Sequence, residues 1–129
     1  MKYLCLIHLD GQQLGAMAET ELSALNARHL EFNDGLVTSG QFIEAEALEP
    51  GEMTTCLRVR GGKVALTDGP YAETKEQVAG FYFIEARDLN EAIQVASRIP
   101  SAPLGVVEVR PCRDLVVDGV SHKASRKSR

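Results

Sequence analysis

The run over residues 2–9 (KYLCLIHL) constrains the fold more than any other stretch of the chain. Up to His8 its apolar residues fall at odd and even positions alike: Tyr3, Leu4, Cys5, Leu6 and Ile7. Successive side chains of a strand point to opposite faces, so a strand that is apolar at both parities is covered on both. Any fold available to this chain must therefore provide two coverings for one strand.

The remaining patterning supplies one of them. After a linker over residues 11–15, Leu22, Leu25, His29, Phe32 and Leu36 recur at steps of three and four and predict a helix with a single inward stripe. Gly40 ends it or its exit turn, and residues 44–52 (EAEALEPGE) read as an acidic connection. Residues 54–60 (TTCLRVR) alternate cleanly, Gly61-Gly62 is a two-residue turn, and residues 63–67 return as the partner strand. Asp68-Gly69-Pro70 breaks that strand, and the polar stretch to Gln77 reads as an exposed loop. Residues 80–86 (GFYFIEA) predict another strand. Asp88 and Glu91 resemble a capping box that opens a helix with Leu89, Ala92, Ile93, Ala96 and Ile99 inward, and Pro100 stops it. Residues 106–110 (VVEVR) form the last strand, with Val107 and Val109 on one side and Glu108 and Arg110 on the other.

The order β-α-β-β-β-α-β predicts an α+β fold: a ferredoxin-like two-layer sandwich with a mostly antiparallel sheet and an extra hairpin strand. Two helices cover one sheet face. The other keeps apolar side chains from the first strand and from residues 80–86, which predicts a homodimer with sheets stacked face to face and a cavity at the sheet margin.

Composition removes other classes. With 129 residues, 44% apolar and 25% charged, the chain is one globular domain rather than a disordered or disulfide-rich one. No apolar run reaches the ~18 to 20 residues of a membrane helix, and no secretory leader is visible, which predicts a cytoplasmic protein without membrane contact. Residues 1–112 carry nine Lys and Arg against sixteen Asp and Glu, so this body repels phosphate backbones and nucleic acid is not an expected partner. Residues 113–129 reverse the balance, five against two, and read as a basic, disordered tail.

Residues 66–76 (LTDGPYAETKE), continued through residues 80–84 and closed by residues 107–111 (VEVRP), resemble the DGPF branch of the YCII-related proteins, over roughly residues 1–112 and in the same order and spacing. Tyr71 stands where that motif has Phe. The resemblance implies a dimeric α+β barrel. It implies less about activity, since such proteins include enzymes on small ring compounds, discussed in terms of a His/Asp pair, and members encoded beside extracytoplasmic-function sigma factors. Residue by residue it points to Asp68, and to His29 as the first-helix histidine, although His29 lies closer to Gly40 than the family pattern has it.

Each candidate also has a structural reading. Asp68 is a general base or imidazole orienter, or an aspartate that hydrogen-bonds the turn after it. His29 is an acid/base group, or a core histidine with a backbone or water partner. His8, at the end of the first strand, faces a sheet edge or the cavity mouth. Tyr71, Glu73 and Lys75, with Glu76, bind a small polar ligand or pair with one another. Glu108 and Arg110 clamp an anion or, the better reading, form a cross-strand salt bridge. Cys5, Cys56 and Cys112 show neither metal spacing nor disulfide pairing, and no phosphate loop or dinucleotide fingerprint occurs, so no metal or cofactor is expected. Two functions lead: a proton-transfer enzyme of the isomerase or lyase type that uses Asp68 with His8 or His29, and a non-catalytic ligand-binding or regulatory module associated with a sigma factor; nucleic-acid binding through the tail over residues 113–129 is a third.

Overall fold

The first strand sits between two others, and the whole architecture is arranged around it. In the computed structural model, which describes residues 1–122, the elements run β1 (Lys2–Asp10), α1 (Gly11–Gly15), α2 (Glu19–Thr38), β2 (Phe42–Ala47), β3 (Thr55–Arg60), β4 (Lys63–Asp68), β5 (Glu76–Glu85), α3 (Leu89–Ser97), β6 (Gly105–Pro111), β7 (Leu115–Val117) and β8 (Val120–His122). Single 3-10 turns lie at Gly51–Met53 and Ala102–Leu104. The main sheet has the order β2-β5-β1-β6 with every pair antiparallel. Taking β1-α2-β2-β5-α3-β6 as the frame, this is the ferredoxin-like arrangement expected from the sequence.

Membership of that sheet differs from the expectation. The glutamate-rich segment read as a connection contributes β2, an edge strand on β5. The β3–β4 hairpin, turning at Gly61 and Gly62 with φ of 55° and 75°, forms a separate two-stranded sheet inserted between β2 and β5. Charged side chains are what a solvated sheet edge carries, so Glu44 and Glu46 suit a strand in that position. Residues 11–15 are a short helix rather than a linker, because the Asp10 side chain accepts the Gln12 amide at 2.9 Å. The last segment also contains structure: β7 and β8 pair within the stretch expected to be disordered, and residues 123–129 lie outside the described residues.

One face of the sheet is the core. Tyr3, Cys5, Ile7 and Leu9 of β1, with Tyr82 and Ile84 of β5, are buried beneath α2 and α3. The α2 stripe falls as its spacing predicts, with Leu25 and Leu36 buried and Leu22, His29 and Phe32 half-buried. Helix α3 turns slightly from its expected face: Ala92, Val95, Ala96 and the following Ile99 are buried, whereas Leu89 and Ile93 stay about half exposed. Its N-cap is the expected one, Asp88 accepting the Glu91 amide at 2.9 Å. On the opposite face Leu4 and Leu6 lie beside Phe83 and Phe81 and are only half-buried, with no helix among the described residues packed over them as α2 and α3 cover the core. Among the described residues no helix is long and apolar enough to cross a membrane.

A close backbone approach fixes the junction of β1 and β6. A Cβ placed on Gly105 would collide with the His8 carbonyl oxygen and press on Leu9. Gly105→Ala is therefore expected to lower unfolding free energy by about 1–3 kcal/mol, and chemical denaturation of the variant checks this; an unchanged midpoint would mean that the two strands separate there at no cost.

Candidate functional site

The end of the sheet where β1 stops and β5 starts is hollow. Leu9 and Asp10, the β5 residues Gln77–Ala79, the 48–52 connection and the loop from Asp68 to Lys75 enclose a cleft of about 1120 Å³. A second hollow of about 560 Å³ adjoins it and is lined by His8, Tyr71, Ala72 and Glu76 among others. Both are shaped by the strand β5, which begins at Glu76 rather than at Gly80 and so shortens the loop to residues 69–75. The ladder shifts register between Ile7 and His8, where Ile7 faces Gly80 and His8 faces Val78, leaving Ala79 as the bulged residue.

The sequence candidates divide between these hollows and the core. Asp68, at the end of β4, Glu73 and Lys75 line the larger cleft, and Tyr71 and His8 line the smaller one. The Asp68 carboxylate is exposed and has no hydrogen bond or ion pair among the described residues, so the turn hydrogen bonds offered as its structural reading are not made. Lys75 approaches Asp10 at 3.9 Å; its ammonium is mostly solvated, so the pair adds little stability. With Asp10, Glu49, Glu52, Asp68 and Glu73 around it, the larger cleft is rich in carboxylates.

His8 has a partner that the sequence did not assign to it. On the open sheet face His8 and Glu108 project from neighbouring strands, and the His8 Nε2 lies 2.8 Å from the Glu108 Oε1. This is a cross-strand pair of the kind expected for the last strand, formed by Glu108; Arg110 has no ion pair among the described residues. A carboxylate on one ring nitrogen fixes the imidazole, whose Nδ1 has no partner among the described residues, and His8 lines the smaller hollow.

His29 lies elsewhere. Its Nδ1 shares a 2.8 Å hydrogen bond with the Tyr82 hydroxyl, and the two rings stack with centroids 6.0 Å apart. Phe32 meets Tyr82 edge-on. This is the partnered core histidine of the structural reading, with a side-chain phenol as the partner. Burial, and then the Arg28 guanidinium, hold its pKa below the ordinary 6.5, while burial pushes the Tyr82 phenol up to about 12. One turn further along α2 the Asn33 Oδ1 is buried with no hydrogen-bond partner among the described residues. Cys5, buried under the same helices, has its thiol pushed up to about 11 and remains protonated.

Sequence reasoning missed Gln77. Its Nε2 donates to the Ala72 carbonyl at 2.9 Å and to the Thr74 carbonyl at 2.7 Å, with the Thr74 Oγ1 at 3.1 Å, while the Thr74 hydroxyl donates to the Glu76 carbonyl at 2.7 Å. One amide thereby staples the loop to β5. No local pattern marks it; its role exists only once β5 extends beneath the loop.

The family profile for the YCII-related domain matches residues 1–116. The chain belongs to the YCII-related family. It is also 32% identical over 120 residues to an uncharacterized protein of Rhizobium meliloti (strain 1021), an alignment that covers 86% of this chain and 91% of that protein. Within this YCII-related chain the region of the DGPYAETKE motif is therefore a wall of the cleft, held by Gln77, rather than a free loop.

Two outcomes are expected. Gln77→Ala should speed amide exchange over residues 72–75, with a global loss of about 1–2 kcal/mol, read by hydrogen–deuterium exchange; unchanged exchange there would show that the staple is dispensable. For His29 the folded pKa is depressed, so the unfolded chain takes up the proton first. Stability is then full above about pH 6.5 and falls as the pH drops through the folded value. Denaturation at pH 7.5 and pH 5 should show a smaller difference in His29→Asn than in the wild type.

Proposed function

We propose that this chain is a cofactor-independent proton-transfer protein of the DGPF branch, working as a homodimeric α+β barrel on a small organic molecule by isomerisation or elimination. The observation that carries the reading is the His8–Glu108 pair beside the hollow. An imidazole oriented by a carboxylate and free at its other nitrogen can accept a proton from carbon and return it elsewhere, the usual division between base and orienter. Asp68, Glu73 and Lys75 on the adjoining cleft would position the substrate and compensate the charge that develops on it, and Tyr71 would close over it. His29, engaged by Tyr82 inside the helix–sheet layer, has no part in the step. The dimer is supported by the half-buried apolar strip of Leu4, Leu6, Phe81 and Phe83, which a second sheet would cover.

A second reading has its own support. Asp68 is exposed and unpartnered, and Tyr71 is 91% exposed, which suits a recognition surface as well as a catalytic one. In that case the chain is a non-catalytic ligand-binding or regulatory module, with a sigma factor as the partner that its family resemblance suggests.

Deuterium exchange separates the two even while the substrate is unidentified. A panel of small carbonyl compounds with acidic C–H bonds is incubated with the protein in D₂O and followed by proton NMR. The enzyme reading expects one or more compounds to exchange, and His8→Asn or Glu108→Gln to slow that exchange by about 10²–10⁴-fold with the fold intact. Compounds that bind and shift the amides of residues 68–75 without exchanging would favour the binding module.

A further inference from the structure

The two hollows share a wall, and Gln77, Gly51, Pro50 and Pro70 belong to it. The Gln77 carboxamide is held in one orientation, because its Nε2 has three oxygens within 3.1 Å: the Ala72 carbonyl, the Thr74 carbonyl and the Thr74 hydroxyl. Its Oε1 is thereby fixed on the other side, and it has no hydrogen-bond partner among the described residues. Glycine at position 51 keeps room beside that oxygen, since a Cβ there would stand 3.2 Å from it. A carbonyl acceptor fixed in direction, left unpaired and given room on a cleft wall is suited to a hydrogen-bond donor from outside the chain.

The charge of the lining points the same way. Among the described residues around the larger cleft five carboxylates, those of Asp10, Glu49, Glu52, Asp68 and Glu73, face one lysine and no arginine. Asp10 is engaged, one oxygen accepting the Gln12 amide at 2.9 Å and the other lying 3.9 Å from Lys75 Nζ. The remaining four have no side-chain hydrogen bond or ion pair among the described residues. Nor are any three His, Cys, Asp or Glu side chains among the described residues grouped so that they could hold a metal ion. The carboxylates therefore act as a field over the cleft rather than as a coordination site. Hydroxyl and free amide groups of the lining serve either sign and do not decide it. A carboxylate or phosphate ligand would meet no guanidinium fork here, and the one ammonium is 80% exposed and already beside Asp10. Leu9, Leu14, Leu22 and Val78 supply apolar surface between the charges.

We infer that the ligand of this cleft is a small protonated amine with an apolar body, and that Gln77 is a specificity-determining residue whose Oε1 accepts a hydrogen bond from it. This rests on the reading of the cleft as the substrate site given above and adds the class of molecule that enters. The unpaired carboxylates stabilise the positive charge, the fixed carbonyl oxygen takes one ammonium N–H, and the aliphatic side chains take the carbon skeleton. In the enzyme reading the same molecule carries a carbonyl group next to the C–H bond that His8 attacks. An anion of the same size would approach four uncompensated carboxylates and an oxygen lone pair, so the cleft discriminates by repulsion as well as by attraction.

Three probes with one carbon skeleton test this: cyclohexylamine, cyclohexanol and cyclohexanecarboxylate, each titrated at pH 7.5 and low salt into the full chain labelled with ¹³C and ¹⁵N. The amine should bind at least about tenfold more tightly than the carboxylate, with the alcohol between them, and should shift the amides of residues 68–79. It should also move the Gln77 side-chain carbonyl carbon, a signal that a purely structural staple would leave in place. In Asp68→Asn/Glu73→Gln, two exposed positions whose exchange leaves the fold intact, the ratio of amine to carboxylate affinity should fall several-fold. A carboxylate that binds as tightly as the amine, an amine that leaves the Gln77 carbonyl carbon unmoved up to tens of millimolar, or a ratio that the double variant does not change overturns the inference. Those results leave the proton-transfer reading to its own deuterium-exchange test. Conversely, amine binding at Gln77 with no exchange in any carbonyl compound removes the enzyme and keeps the ligand class.

Discussion

Everything in this molecule depends on β1 having two faces that are both apolar and differently served. The odd residues Tyr3, Cys5, Ile7 and Leu9 go into the layer beneath α2 and α3, where four buried side chains at about 1.5–3 kcal/mol each provide much of the reason for the sheet to form at all. The even residues Leu4, Leu6 and His8 face away from the helices. A strand slip of one residue would exchange the two sets and put His8 into the core, so register is strongly specified. The same strand thus fixes the fold through one face and presents a half-buried apolar strip and the histidine through the other.

That division explains where chemistry can occur. Glu108 reaches His8 because β6 is the direct neighbour of β1 and both residues project to the open face. The register shift beyond Ile7 and the close packing of Gly105 against the His8 backbone define where the histidine sits relative to the cleft. His29 and Tyr82 are the opposite case. Their hydrogen bond joins α2 to the sheet, and burial holds His29 neutral and Tyr82 protonated at neutral pH, which is what a structural polar pair inside an apolar layer requires.

The frame was legible because period and parity carry it: the two-sided run of β1, the five-residue stripe of α2, the Asp88 cap and the Gly61-Gly62 turn are local signals that tertiary packing had no cause to override. The motif around Asp68 was legible as a unit, and it walls the cleft as a unit. What stayed hidden depends on pairing. Edge strand β2 is held by β5 rather than by its own propensity, so its glutamates read as a connection. The extension of β5 back to Glu76 follows from its ladder with Leu9 and Asp10, and only that extension gives Gln77 its role. That the cross-strand partner of Glu108 is His8 is likewise a matter of which strand lies beside which.

The hairpin inserted between β2 and β5 then has a physical explanation that the ferredoxin-like frame alone lacks. The frame closes without it, since β2 pairs directly with β5, and the insertion adds four aliphatic side chains that the chain itself leaves in water. Such surface is costly to keep unless association removes it from solvent. At the same time the insertion ends in Asp68 and delivers the following loop to the cleft, where Gln77 captures it. One element therefore links the outward apolar arm to the wall of the candidate site.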